Sequence, residues 1–118
     1  MSITMYHNPR CSKSRATLEL LHDRGLAPEI VLYLDAPPDP ATLGALARKL
    51  ERRPHDFLRT GESAWKDLGL SLDSVNDDQL LRLMSDHPIL IERPIVVCGE
   101  RARIGRPPEA VLEILPES

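Results

Sequence analysis

Residues 3–33 read ITMYHNPRCSKSRATLELLHDRGLAPEIVLY, and the fold is decided there. Ile3-Thr4-Met5-Tyr6 alternates and reads as a short strand. His7-Asn8-Pro9 stops it, because the residue before a proline is pushed out of helical geometry. Ala16, Leu20 and Leu21, with Leu18 beside them, give an apolar stripe at helical spacing that ends near Arg24, where Gly25 supplies a left-handed stop. Glu29-Ile30-Val31-Leu32-Tyr33 is a second strand. Strand, helix and strand joined by so short a crossover form a right-handed parallel unit, half of a small α/β fold. Cys11 falls at the N-terminal tip of the helix, beyond the carboxyl end of the first strand, where open α/β sheets collect ligands.

Beyond this unit, Pro37-Pro38-Asp39-Pro40 breaks the chain. Asp39 is placed to cap, and Pro40 to open, a helix carrying Leu43, Leu46, Ala47 and Leu50. Weaker helical pieces over 54–59 and 62–68 precede a better one over 77–86, with Leu80, Leu81 and Met84 inward and His87-Pro88 as its stop. Ile95-Val96-Val97-Cys98, Gly99-Glu100 and Arg101-Ala102-Arg103-Ile104 then read as a hairpin whose two-residue turn begins with glycine, as a type II′ turn requires. Pro107-Pro108 opens a last helix with Val111, Ile114 and Leu115 on one side. The expected order is βαβ, a helical insertion over about 39–88, and ββα, all in one domain spanning 1–118.

The 118 residues suit a single core. A hydrophobic share of 42% and a charged share of 28% match ordinary globular usage and exclude disorder and coiled coil. Fifteen basic against eighteen acidic side chains leave a net charge of −3, which attracts neither nucleic acid nor anionic lipid globally, so an anion site must be local. Only Phe57, Trp65, Tyr6 and Tyr33 are aromatic, too few for a base-stacking platform. No run approaches the ~18 apolar residues of a membrane span, and 1–6 lack the regions of a signal peptide, so a cytoplasmic protein with free thiols is expected. Cys11 and Cys98 lie far apart and match neither a disulfide framework nor zinc spacing, and His22, His55 and His87 form no metal-ligand spacing. No metal or bound cofactor is expected.

Cys11 has what a reactive thiolate needs: free N–H groups and a dipole at a helix start, with Arg10 and Lys13 or Arg15 nearby and no acidic side chain in the first fifteen residues. A lone cysteine is more often a small buried hydrophobe, which remains the reading for Cys98 at a strand end. Ser14 stands where a disulfide oxidoreductase would carry its second cysteine, so Cys11 has no local resolving thiol. Arg15 comes too early, and Thr17 stands in the way, for a Cys-x₅-Arg phosphate loop.

His7-Asn8-Pro9-Arg10-Cys11-Ser12-Lys13-Ser14-Arg15, Phe57-Leu58-Arg59-Thr60, the stretch HPILIERPIVV at 87–97 and Gly105-Arg106-Pro107-Pro108-Glu109 together resemble the four signature blocks of the glutaredoxin-coupled arsenate reductase family. The blocks run in order over essentially the whole chain. The resemblance implies a thioredoxin-like fold with a helical insertion. It also implies that Cys11 attacks pentavalent arsenic to form a covalent thioarsenate, with glutathione as co-substrate and glutaredoxin completing the reduction to arsenite. Arg59, Arg93 and Arg106 occupy the family's three arginine positions, and planar forks of charged donors suit a tetrahedral oxyanion better than lysine does. His7 matches the family's histidine near the nucleophile, either as a group that lowers the thiol pKa or as a satisfied loop histidine. Cys11, Ser14, Arg15, Arg59, Arg93 and Arg106 make up the candidate substrate-binding set, and Arg93-Pro94 matches the fold's cis-proline loop.

Arg10 and Ser12-Lys13 stand where well-studied members carry smaller residues, which points to a less characterised branch. Two other functions fit the fold: an Spx-like redox-sensing regulator binding RNA polymerase, which typically needs the Cys-x-x-Cys that Ser14 breaks, and a reductase of another oxyanion or of a thiol adduct.

Overall fold

A computed structural model describes residues 2–115, in two compact units: 2–36 with 93–115, and Pro37–Glu92. The first unit holds β1 (Ile3–Tyr6), α1 (Ser12–Asp23), β2 (Glu29–Val31), β3 (Ile95–Cys98) and β4 (Arg101–Ile104). The sheet order is β2-β1-β3-β4. β1 and β2 are parallel, with Met5 opposite Ile30, so the βαβ reading of the opening stretch holds. β1 and β3 are antiparallel, with Met5 opposite Val96, and β3 turns into β4 through Gly99 at φ 63°, the positive value a type II′ turn asks of its first residue. β3 is an inner strand and buried throughout, whereas β2 is an edge strand with Ile30 exposed. Ile3, Met5, Leu21, Val96, Cys98, Val111 and Ile114 form the core of this unit. At 25 cal/mol per Å², each large apolar side chain here contributes roughly 1.5–3 kcal/mol through burial.

Three readings are corrected in this unit. β2 ends at Val31, not Tyr33, because the N–H groups of Asp35 and Ala36 both reach back to the Leu32 carbonyl and turn the chain. The face that α1 buries is Ser14, Thr17 and Leu21, while Ala16 is exposed and Leu18 and Leu20 are half-buried. Two hydroxyls tolerate burial there because each has a partner; Thr17 Oγ1 donates to the Lys13 carbonyl at 2.8 Å. The last helix is a 3₁₀ segment, Pro108–Ile114, whose three-residue turn aligns Val111 with Ile114 and leaves Leu115 just past its end. Gly25, at φ 75°, ends α1 as expected, with Gly25 and Leu26 N–H groups closing onto His22 and Leu21 carbonyls.

The second unit is helical. α2 (Pro40–Leu50) is capped by Asp39, whose side chain accepts from the Thr42 N–H at 2.7 Å, and it buries Leu43, Leu46, Ala47 and Leu50. It packs on α4 (Asp77–Asp86), which opens with a reciprocal Asn76–Gln79 cap and buries Leu80 and Met84, with Leu81 half-buried. The piece read over 54–59 is a 3₁₀ turn, Pro54–Phe57. Leu58 instead bridges Ile91, and the Arg59 N–H donates to the Leu90 carbonyl at 2.7 Å, so extended pairing replaces the helix. α3 (Ser63–Leu68) buries Trp65. Short 3₁₀ turns at Leu72–Ser74 and Pro88–Leu90 have no counterpart in the sequence reading. Among the described residues, no helix is long and apolar enough to cross a membrane.

Candidate active site

The chain leaving β1 makes a tight loop before α1, and three bonds around Asn8 set its shape. The Asn8 side chain accepts the Arg10 N–H at 3.0 Å, its carbonyl accepts the Cys11 N–H at 3.0 Å, and its own N–H donates to Ser14 Oγ at 3.0 Å. Ser14, fully buried on the first turn of α1, also meets His7 Nδ1 at 2.6 Å. Ser14 Oγ thus accepts the Asn8 N–H while sharing a hydrogen bond with His7 Nδ1, and one hydroxyl ties both residues to the helix. Burial first, and the Arg15 charge second, push the His7 pKa below its ordinary 6.5, in the same direction. Arg15 donates to the Pro9 carbonyl at 2.9 Å and braces the loop from outside.

Cys11 is therefore held as the residue preceding α1, partly exposed, with extended backbone at φ −95° and ψ 124°. Burial is the largest influence on its thiol and pushes the pKa up. The Ser14 N–H, the Arg93 side chain, the Lys13 N–H and the Arg93 charge act against it, and together they bring the thiol below its ordinary value. Arg106 Nη1 lies 3.8 Å from the sulfur and donates to the Arg93 carbonyl at 3.1 Å. The two arginines thus stand at one thiol, Arg93 half-buried and Arg106 exposed. None of the described hydrogen bonds joins His7 to the sulfur; its described partner is Ser14.

Arg59 belongs to the helical unit, where its guanidinium is held by Glu62 Oε1 at 3.1 Å and Glu92 Oε1 at 2.6 Å. Of the candidate set, the first unit gathers Cys11, Ser14, Arg15, Arg93, Arg106 and His7. The Arg93–Pro94 peptide is cis, as the family resemblance implies, and Arg106–Pro107 is cis as well.

Two residues quoted in the sequence blocks were given no positioning role there. Asn8 is the organiser of the loop, and an Asn-Pro dipeptide between strand and helix is the signal for such a turn. Gly105 is the other: a Cβ there would lie 2.5 Å from Thr17 Oγ1 and 2.8 Å from Pro94 Cγ, so only glycine lets the end of β4 pass between α1 and the cis-proline loop. The Gly105 N–H donates to the Pro94 carbonyl at 2.9 Å, which ties the segment carrying Arg106 to the one carrying Arg93. Among the described residues no group of three or more His, Cys, Asp or Glu side chains could hold a metal ion.

A sheet of this order, a lone thiol at the start of the first helix and a cis-proline loop beside that helix define a thioredoxin-like thiol protein. Residues 6–114 match the ArsC family, and the chain belongs to that family. YfgD of Escherichia coli (strain K12), itself uncharacterized, is 50% identical over 114 residues, which covers 96% of each chain. An arsenate reductase of Neisseria meningitidis serogroup A is 46% identical over 114 residues, 96% of this chain and 97% of its own. Among solved structures, an arsenate reductase from Vibrio cholerae is 48% identical and superposes with a TM-score of 0.94, covering 98% of both chains.

Proposed function

We propose that this chain reduces arsenate to arsenite through a covalent intermediate on Cys11, drawing its electrons from glutathione and glutaredoxin. The observation that carries the reading is the Cys11 thiol, lowered in pKa by helix-start N–H groups and Arg93, with Arg106 at 3.8 Å, in a chain of the ArsC family. Thiolate and arsenate repel each other, and fixed guanidinium groups and backbone dipoles offset that repulsion without reorganising.

In the proposed sequence the Cys11 thiolate displaces one arsenate oxygen, which leaves as water, and a sulfur–arsenic(V) bond forms with no change of oxidation state. A glutathione thiolate displaces a second oxygen in the same way. A glutaredoxin thiolate then attacks the glutathione sulfur. The sulfur–arsenic bond breaks with its electron pair staying on arsenic, so arsenic(V) becomes arsenic(III) while glutathione leaves as a mixed disulfide with glutaredoxin. Hydrolysis of the remaining Cys11–arsenic bond releases arsenite and restores the thiol. Arg93 and Arg106 hold the oxyanion throughout, with Arg59 as the third arginine of the set; His7, Ser14 and Arg15 hold the loop.

The test is arsenate turnover with glutathione plus glutaredoxin, and separately with thioredoxin, in the parent and in Cys11→Ser. Turnover in the first mixture that vanishes in the variant supports the reading. Absence of turnover, with arsenate, phosphate and sulfate all failing to protect Cys11 from alkylation, refutes it.

A further inference from the structure

Next to the nucleophile loop lies a cleft of about 320 Å³. Its one wall is the loop 7–10, and its other is the chain after β2, through Leu32, Leu34 and Asp35. Arg93 and Arg106 take no part in lining it. We propose that this cleft seats the thiol co-substrate as a small zwitterionic peptide thiol of the glutathione type, with its α-carboxylate on Arg10 and its α-ammonium on Asp35. The inference rests on the thiol-dependent reading above and locates one of its partners.

Four observations support it. The cleft sits at the lower end of the roughly 300–1,000 Å³ that small-molecule sites occupy, which suits a tripeptide and excludes a folded protein as its direct filler. Its floor is apolar and open: Leu32 is 40% exposed and Leu34 37%, two of the four large apolar side chains left exposed among the described residues, and both gain from being covered. Arg10 and Asp35 are exposed and of opposite sign, and among the described residues neither head group has a hydrogen-bond or ion-pair partner. A neutral thiol would use neither charge, and a simple dianion would face the Asp35 carboxylate unfavourably; a zwitterion satisfies both. Finally, the loop wall runs directly into Cys11, whose N–H is bonded to the Asn8 carbonyl at 3.0 Å. A peptide seated here lies against the residue next to the nucleophile in the chain and leaves Arg93 and Arg106, which do not line the cleft, to the oxyanion.

S-methylglutathione, which cannot react, is the probe. Titrated into the full ¹⁵N-labelled chain, it is expected to shift amide resonances at 7–11 and 32–35. Arg10→Ala and Asp35→Ala are each expected to raise its Kd about tenfold, with native spectra, since both side chains are exposed. In arsenate assays the same variants raise KM for glutathione at little change in kcat. Shifts confined to other residues, unchanged Kd in both variants, or no binding at millimolar probe would overturn the assignment. If the parent fails to turn over arsenate yet binds the probe here with the stated losses, the cleft assignment stands and the arsenate reading falls.

Discussion

Replacing Ser14 by alanine removes one oxygen and leaves two buried groups unmet. Ser14 is fully buried, and its Oγ serves both His7 Nδ1 at 2.6 Å and the Asn8 N–H at 3.0 Å, on residues that are themselves only 6% and 5% exposed. The void is small, so the loss is one of hydrogen bonding more than packing. A buried polar group deprived of its partner costs about 1–3 kcal/mol, and two such groups with partial relaxation give an expected loss of about 2–4 kcal/mol. For 118 residues the unfolding entropy is about 0.25 kcal/mol per degree, so Tm should fall by about 8–16 °C. Circular dichroism melts and urea titrations measure it. A double-mutant cycle with His7→Ala should show a coupling of at least 0.5 kcal/mol, because the two residues share one bond. A Ser14→Ala variant melting within 2 °C of the parent, or strict additivity with His7→Ala, would refute the account of the loop as a network centred on this hydroxyl.

Other outcomes follow from the same geometry. Alkylation of Cys11 against pH should have its midpoint below that of the same thiol in the unfolded chain, and Arg93→Ala should move it back up, since Arg93 both bonds the thiolate and lends it charge. Cys98, 3% exposed, should stay unmodified in the native chain, as mass spectrometry after brief alkylation would show. His7 should titrate below 6.5 by NMR; the unfolded chain then takes up its proton first, so stability should decline as pH falls from about 6.5 towards the folded value and level off below it. Gly105→Ala should lower Tm, and adding Thr17→Ala should restore only part of the loss because Pro94 still lies 2.8 Å from the new Cβ.

Much of this fold could be read from local chemistry. Asp39-Pro40 announced its helix because capping depends on residues within a turn of one another, and Gly99 announced the hairpin because a II′ turn demands its backbone freedom. The readings that failed depended on partners distant in sequence or on competing local bonds. Ser14 and Thr17 had no place in an apolar stripe, and they are buried because Ser14 bonds to the loop and Thr17 to the Lys13 carbonyl. Leu58 and Arg59 read as helical because their extended pairing with Ile91 and Leu90 is made some thirty residues away. At the site, Cys11 was legible from its place between strand and helix. Arg93 and Arg106 were not legible from spacing, since an arginine carries no sign of the sulfur it will meet, and they entered only through resemblance to a family.

The central pairing of the sheet joins the two ends of the chain: Met5 lies opposite Val96, about ninety residues later. During synthesis at roughly 5–20 residues per second, Cys11 is therefore made several seconds before the residues that acidify it. Until then α1, at twelve residues, is marginal as an isolated helix, so its N–H groups are not yet fixed on the sulfur, and Arg93 and Arg106 do not exist. The thiol leaves the ribosome with the reactivity of any unfolded cysteine, and its chemistry begins only when the last strands close the sheet.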